Sequence, residues 1–291
     1  MRLFPNLSLL LVATGVLAAP AQAGELATYR ALYGLEPQRV DSNSAQVPLD
    51  GAIAYEVRGS DCQGYALDSR FATRYVDGEH GAKTVDLRST TFESADGLDF
   101  EVSQKQTLNN AAGDDERISV KRANVGQQGK GQLTGSKQKS FQLDANSLFP
   151  TVYEKKLLTA AMQGQSRDDS VIFDGSDGDK LYRAITFIGK KRDAGTYQPD
   201  LQNPAAKGLA GLASWGFSIG YYSLDGKSDA PDFQASFNMY ENGITTEMVF
   251  DYGSYALKGK LQKLEMLASA PCDGSNINPL PPDSSAAGTP Q

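Results

Sequence analysis

Ser214-Trp215-Gly216-Phe217-Ser218-Ile219-Gly220-Tyr221 alternates bulky apolar residues with small or polar ones at a period of two. That spacing belongs to a β-strand with one face turned to a core, here Trp215, Phe217, Ile219 and Tyr221. The same alternation recurs downstream in Phe233, Ala235, Phe237 and Met239, then Met248, Phe250 and Tyr252, then Tyr255, Leu257 and Leu261. Upstream, Ile53, Tyr55 and Val57 alternate with Ala54, Glu56 and Arg58, and Leu67, Phe71 and Tyr75 stand opposite Asp68, Arg70 and Arg74. Leu98, Phe100 and Val102, and after them Ile118 and Val120, continue the series. Turn residues at Asp77-Gly78, Asp96-Gly97, Asp225-Gly226 and Asn242-Gly243 separate these runs, and links that short join antiparallel neighbours. The pattern predicts a mainly β protein built on one large antiparallel sheet.

So many strands with one apolar face bury it by curling the sheet around its own interior, into an incompletely closed barrel or spiral. One amphipathic helix is available as a cover. Thr151 and Glu154 have the spacing of a capping box, Pro150 precedes them, and Gly164 is placed to end the segment. Tyr153, Leu157, Leu158, Ala160, Ala161 and Met162 fill more than half of its circumference, which predicts a helix lying against or within the mouth of the sheet; packing on the outside is the alternative. Lys190 to Ala213 lacks a strand period and contains Pro199 and Pro204, so it reads as a long excursion or a flap. Gly126 to Gly135 reads as a short glycine-rich connection.

Residues 1–23 have the form of an export signal: Arg2, an apolar run from Leu7 to Ala19, then Ala21-Gln22-Ala23 before Gly24. Cleavage after Ala23 delivers a periplasmic protein, and an uncleaved N-terminal anchor is the competing reading. Residues 24–272 then form a single domain, and 273–291, rich in proline and serine, form a disordered tail. No later stretch reaches the roughly 18 apolar residues of a membrane-spanning helix. The net charge of −7 and the scattered basic residues disfavour nucleic acid as a partner.

Cys62 and Cys272 are the only cysteines. In an exported chain they most economically pair with each other, the alternative being two separate thiols. A bridge would close a loop of about 210 residues and restrict the unfolded chain by up to about 5 kcal/mol.

The inventory for catalysis is thin. The single histidine, His80, lies in the turn Gly78-Glu79-His80-Gly81, and a nucleophile would have to draw its base from that loop tip. One histidine and two paired cysteines leave no thiolate or imidazole ligand set for a metal. Asp174-Gly175-Ser176-Asp177-Gly178-Asp179 lacks the ligand alternation of a calcium loop and reads as a hairpin turn after the strand Val171 to Phe173. Asp86 and Arg88 share a strand face, as a charged ladder does. No catalytic residue and no cofactor is expected.

Gly59-Ser60-Asp61-Cys62-Gln63-Gly64-Tyr65, Asp86-Leu87-Arg88-Ser89-Thr90-Thr91-Phe92-Glu93, Phe149-Pro150-Thr151 and Phe173-Asp174-Gly175-Ser176 together resemble the EipB-like family of bacterial cell-envelope integrity proteins. Ser214-Trp215, Tyr240-Glu241-Asn242-Gly243, Asp251-Tyr252-Gly253 and Cys272 extend the resemblance in the same order. It implies a periplasmic, spiral-like antiparallel sheet with an internal helix, a Cys62–Cys272 disulfide and a role in the envelope without an established reaction. The chain departs from the family pattern at Gly216, where proline is expected, and at Tyr153 and Glu154, near which a histidine is expected. Two functions are compatible with these features. One is a non-enzymatic envelope factor that binds a periplasmic protein or envelope component; the other is a carrier of lipid or lipoprotein acyl chains in an apolar interior.

Overall fold

The computed structural model describes residues 24–77, 81–224, 229–269 and Cys272. The readings of residues 1–23 as an export signal, of 273–291 as a tail, of His80 and of the Asp225-Gly226 turn lie outside them.

The strands are β1 Tyr29–Val40, β2 Gln46–Ser60, β3 Gly64–Asp77, β4 Ala82–Glu93, β5 Asp99–Leu108, β6 Ala111–Lys121, β7 Gly129–Gly135, β8 Lys139–Leu143, β9 Arg167–Ile172, β10 Tyr182–Ile188, β11 Ser214–Ser223, β12 Phe233–Tyr240, β13 Thr245–Asp251 and β14 Tyr255–Met266. Among the described residues they form one antiparallel sheet of 14 strands in the order β8-β7-β6-β5-β4-β3-β2-β1-β14-β13-β12-β11-β10-β9. The chain therefore starts in the middle of the sheet, walks out to one edge at β8, crosses to the far edge at β9 and walks back until β14 pairs with β1, from Tyr29↔Met266 to Val40↔Tyr255.

That crossing proves the sheet is rolled. Laid flat, its edges would stand about 60 Å apart at about 4.8 Å per strand. Yet Leu148, only a few residues beyond the end of β8 at Leu143, already brackets β9: its N–H donates to Val171 O at 2.8 Å and its carbonyl accepts from Phe173 N at 2.9 Å. Five residues of chain reach at most about 18 Å. Side chains then join the two margins without closing a barrel. The Phe173 ring meets Phe141 at 5.7 Å and Phe100 at 5.9 Å, and the Lys139 ammonium reaches Asp179 at 2.6 Å.

The inner face is the predicted one. Tyr33, Ile53, Phe100, Ile118, Trp215, Phe217, Ile219, Met239, Leu257 and Leu261 are buried. The outer face carries a charged ladder in which Arg70 donates to Asp86 and Arg74 pairs with Asp50, while Arg88 stands 3.7 Å from Asp86. The aspartate run Asp174–Asp179 lies in the β9–β10 hairpin connection, where Asp174 accepts from the N–H and the hydroxyl of Ser176.

Helix α1, Pro150–Met162, plugs one end of the roll. Leu157 and Leu158 are 2% and 0% exposed, in a core with Leu26 and Tyr65 on one side and Ile172, Ala184, Trp215, Phe217 and Met239 on the other. Strands from both arms of the sheet thus contact one helix, which settles its position as internal. Its C-terminus ends at Gly164 with φ +74°, a conformation glycine adopts without strain.

Two details differ from the sequence reading. The capping box is absent. Proline at the first helical position holds Phe149 extended, and a distant carboxylate takes over: Glu93, at the end of β4, accepts from Thr151 N at 2.7 Å and Val152 N at 3.1 Å. The glycine-rich stretch is a strand, β7, because Gly131 leaves room for the Phe141 ring to lie flat across it; a Cβ there would stand 2.2 Å from that ring. The Lys190–Ala213 segment is an excursion folded into the same end of the roll. It contains α2, Gln198–Leu201, and a 3-10 turn at Pro204–Leu209 whose Ala206 and Leu209 are buried against the inner face near Tyr33, Leu257 and Leu261.

Glu93→Ala removes the cap and leaves two helix N–H groups without their acceptor in a part-buried site. Urea unfolding is expected to show a loss of about 2 kcal/mol, and a loss below about 0.5 kcal/mol would contradict the assigned cap.

Candidate functional site

The end of the roll that holds α1 also holds both cysteines. Cys62 sits in the turn between β2 and β3, Cys272 lies shortly beyond β14, and they are joined with their Cα atoms 5.7 Å apart. The strand order explains the meeting, since β14, β1 and β2 are neighbours and the end of β14 lies beside the end of β2. Asp61, next to Cys62, accepts from the Tyr65 hydroxyl at 2.6 Å and pairs with Lys155 of α1, whose ammonium stands 5.0 Å over the Tyr65 ring. Tyr65 in turn accepts from Leu26 N at 3.2 Å. Bridge, N-terminal segment and helix are one tied unit. Burial pushes the Asp61 carboxyl up, but donation from Lys155 and Tyr65 outweighs it and holds the group below the usual carboxylate range.

Around the helix start, charge is buried. Glu93 is 4% exposed, and burial raises its pKa against the two helix N–H bonds that lower it. Arg122, also buried, stacks its guanidinium 4.3 Å from the Phe149 ring centroid and donates to Ser147 Oγ at 3.1 Å. Glu154 packs its carboxylate against Gly243, in the β12–β13 turn, where a Cβ would stand 2.6 Å from Oε1. Burial first, and the Glu93 charge second, push Glu154 up to about 7.

A second buried carboxylate group fastens the excursion. Asp200 Oδ2 accepts from the Thr246 hydroxyl at 2.6 Å, the Tyr240 hydroxyl at 2.8 Å and Asn238 Nδ2 at 3.3 Å, and Asn203 Nδ2 donates to Leu261 O at 2.8 Å. Arg192 donates to Asn238 Oδ1 at 2.6 Å while its guanidinium passes 3.2 Å from where a Gly216 Cβ would be. The glycine in place of the expected proline therefore admits this arginine.

Toward the opposite end of the roll, beyond α1 and the excursion, the inner face is not fully covered. Tyr55, Phe71, Tyr221, Phe233 and Phe250 are only half-buried, and Tyr252 is 38% exposed. The rings of Tyr221, Phe250 and Tyr252 make a continuous surface around Phe233, which lies 5.6 Å from Tyr221, 6.2 Å from Phe250 and 5.0 Å from Tyr252, itself 5.0 Å from Tyr255. Beside Tyr55, the register Tyr55↔Ser69↔Ser89↔Gln104 continues the inner face through β3 to β5, where Gln104 Nε2 donates to Glu116 Oε2 and to Gly175 O, both at 3.4 Å. Burial pushes Tyr55 up to about 12 and raises Tyr221 and Tyr252 as well, with Tyr153 and Asp174 adding to the shift of Tyr221 and Tyr255 to that of Tyr252. Tyr221 and Tyr252 are thus joined through Phe233, and among the described residues none of the three phenols makes a hydrogen bond.

The sequence singled out the two cysteines, which the structure brings together. It did not single out Glu93, Asp61, Lys155 or Asp200, whose partners are 58, 94 and 40 positions away along the chain. The aromatic wall was legible only as a strand face. Among the described residues no cluster of His, Cys, Asp or Glu could hold a metal ion, and no helix is long and apolar enough to cross a membrane.

A rolled, unclosed antiparallel sheet, clamped by a disulfide between its early and late strands and plugged by one helix, defines a β-barrel-like class of protein. The chain belongs to the EipB-like family, whose model matches residues 20–268. It is 32% identical over 253 residues to the cell envelope integrity protein EipB of Brucella abortus (strain 2308), covering 86% of this chain and 87% of that protein. A crystal structure of a β-barrel-like protein of a domain of unknown function from Brucella abortus superposes with a TM-score of 0.76 at 29% identity, over 84% of this chain and 99% of that one.

Cys62→Ser and Cys272→Ser are expected to lower stability equally, by up to about 5 kcal/mol, with the double variant no worse than either; additive losses would mean the sulfurs act independently. Glu154 carries the opposite sign from a paired carboxylate. Its folded pKa of about 7 exceeds the ordinary value of 4.5, so its ionisation opposes folding as pH rises between these values and costs up to about 3 kcal/mol above them. Glu154→Gln should therefore match the parent near pH 4 and exceed it at pH 8, as read by urea midpoints at both.

Proposed function

We propose that this chain is an exported, non-enzymatic periplasmic protein that supports cell-envelope integrity by holding an envelope component or periplasmic protein on its rolled sheet. The observation that carries the reading is the match to a relative named for envelope integrity across 86% of the chain. The geometry supports it. Glu93 and Asp200 serve as structural ties, to a helix start and to the excursion, and a staple exposed at the surface suits an oxidising compartment. Residues 1–23 supply the export signal and Ala23 the cleavage position on this reading.

The second reading, carriage of a lipid or lipoprotein acyl chain, draws on the half-buried aromatic wall. Against it stand the filled helix end, where Leu158 is 0% exposed, and the unpaired phenols of the remaining wall, which an acyl chain would desolvate.

Deleting the gene is expected to sensitise cells to detergents and cell-wall antibiotics, with resistance restored by the parent gene. Undiminished resistance of the deletion strain across that panel would overturn the envelope role.

A further inference from the structure

We propose that the aromatic wall running from Tyr221 through Phe233 to Tyr252, away from α1, binds a neutral oligosaccharide. The inference deepens the envelope reading and rests on it, by naming the chemistry of the component that is held.

Three features of the wall choose this ligand. The first is its ribbon of rings. Phe233 touches Tyr221, Phe250 and Tyr252 at centroid distances of 5.6, 6.2 and 5.0 Å, and Tyr252 is exposed. The electron-rich faces of such rings attract groups with a positive edge, and the C–H face of a pyranose is such a group. The second is hydrogen-bonding capacity. The hydroxyls of Tyr221 and Tyr252 bond to no described residue, although both rings belong to the ribbon. A phenol both donates and accepts, which matches sugar hydroxyls, whereas a hydrocarbon chain would strip water from it and return nothing. The third is charge. None of these wall residues is a lysine or arginine, and the cations at the rim are engaged, Lys180 with Asp177 and Asp232, and Arg39 with Asp41 and Asp251. An anionic headgroup or phosphate finds no free partner on this wall.

The test is calorimetric titration of the purified exported protein with chitotetraose, cellotetraose and maltotetraose, alongside fluorescence titration with cis-parinaric acid as the lipid probe. At least one tetrasaccharide is expected to bind with Kd below about 1 mM, about tenfold more weakly in Tyr252→Ala and several-fold more weakly in Tyr221→Phe. Tyr252 is exposed and Tyr221→Phe keeps the ring, so circular-dichroism melting should show both variants folded. Failure of all three sugars to bind up to about 10 mM overturns the proposal. So does sugar binding that both variants leave unchanged, or cis-parinaric acid binding that no sugar displaces. These results are separable from the envelope role itself, because the deletion phenotype is scored without reference to any sugar.

Discussion

Among the described residues, a sheet of fourteen strands with one apolar face has only itself, one main helix and the excursion between β10 and β11 against which to bury that face. Everything else in the structure follows from this constraint. The sheet rolls until its margins meet at Phe141, Phe173 and Phe100, and the gap left at one end is closed by α1 and by the excursion between β10 and β11. The roll is not sealed by hydrogen bonds, since β8 and β9 end the strand order on either side. Its margins are therefore held by side chains and by the isolated Leu148 bridge to Ile172, while the disulfide ties strands at the centre of the sheet.

Polar groups taken into such an interior need partners, and the pairings show how the plug is fixed. Glu93 receives two helix N–H groups, Asp200 receives three side-chain donors, and Asp61 joins Lys155 to the turn that holds Cys62. Each links a segment of the plug to the sheet wall. Glu154 is the exception, a carboxylate pressed against a glycine turn with the Glu93 charge nearby, so its ionisation works against the folded state. The plugged end is consequently filled, and the aromatic rings that retain accessible area lie toward the other end.

Much of this was legible along the chain. Period-two alternation marked the strands, and Asn242-Gly243 and Asp96-Gly97 marked tight links, because a strand face and a turn are properties of adjacent residues. The helix was legible through Leu157 and Leu158, but its cap was not: the local Thr151–Glu154 spacing competed with a carboxylate that arrives from β4. Gly129 to Gly135 was misleading for a related reason, since its glycines serve the Phe141 ring of the next strand rather than a loop. The excursion gave no periodic signal because its anchor, Asp200, is held by side chains from β12 and β13.

By itself, then, the sequence determined the strand content, the antiparallel neighbours, the single plugging helix and the availability of two cysteines for one bridge, all of which rest on local spacing or on counting. Tertiary structure alone decided that β1 pairs with β14, that the margins meet at Phe141, Phe173 and Phe100, and that Tyr221 and Tyr252 share Phe233 as a neighbour. These are contacts between residues up to about 240 positions apart, and they exist only once rolling the sheet has satisfied the burial of its apolar face.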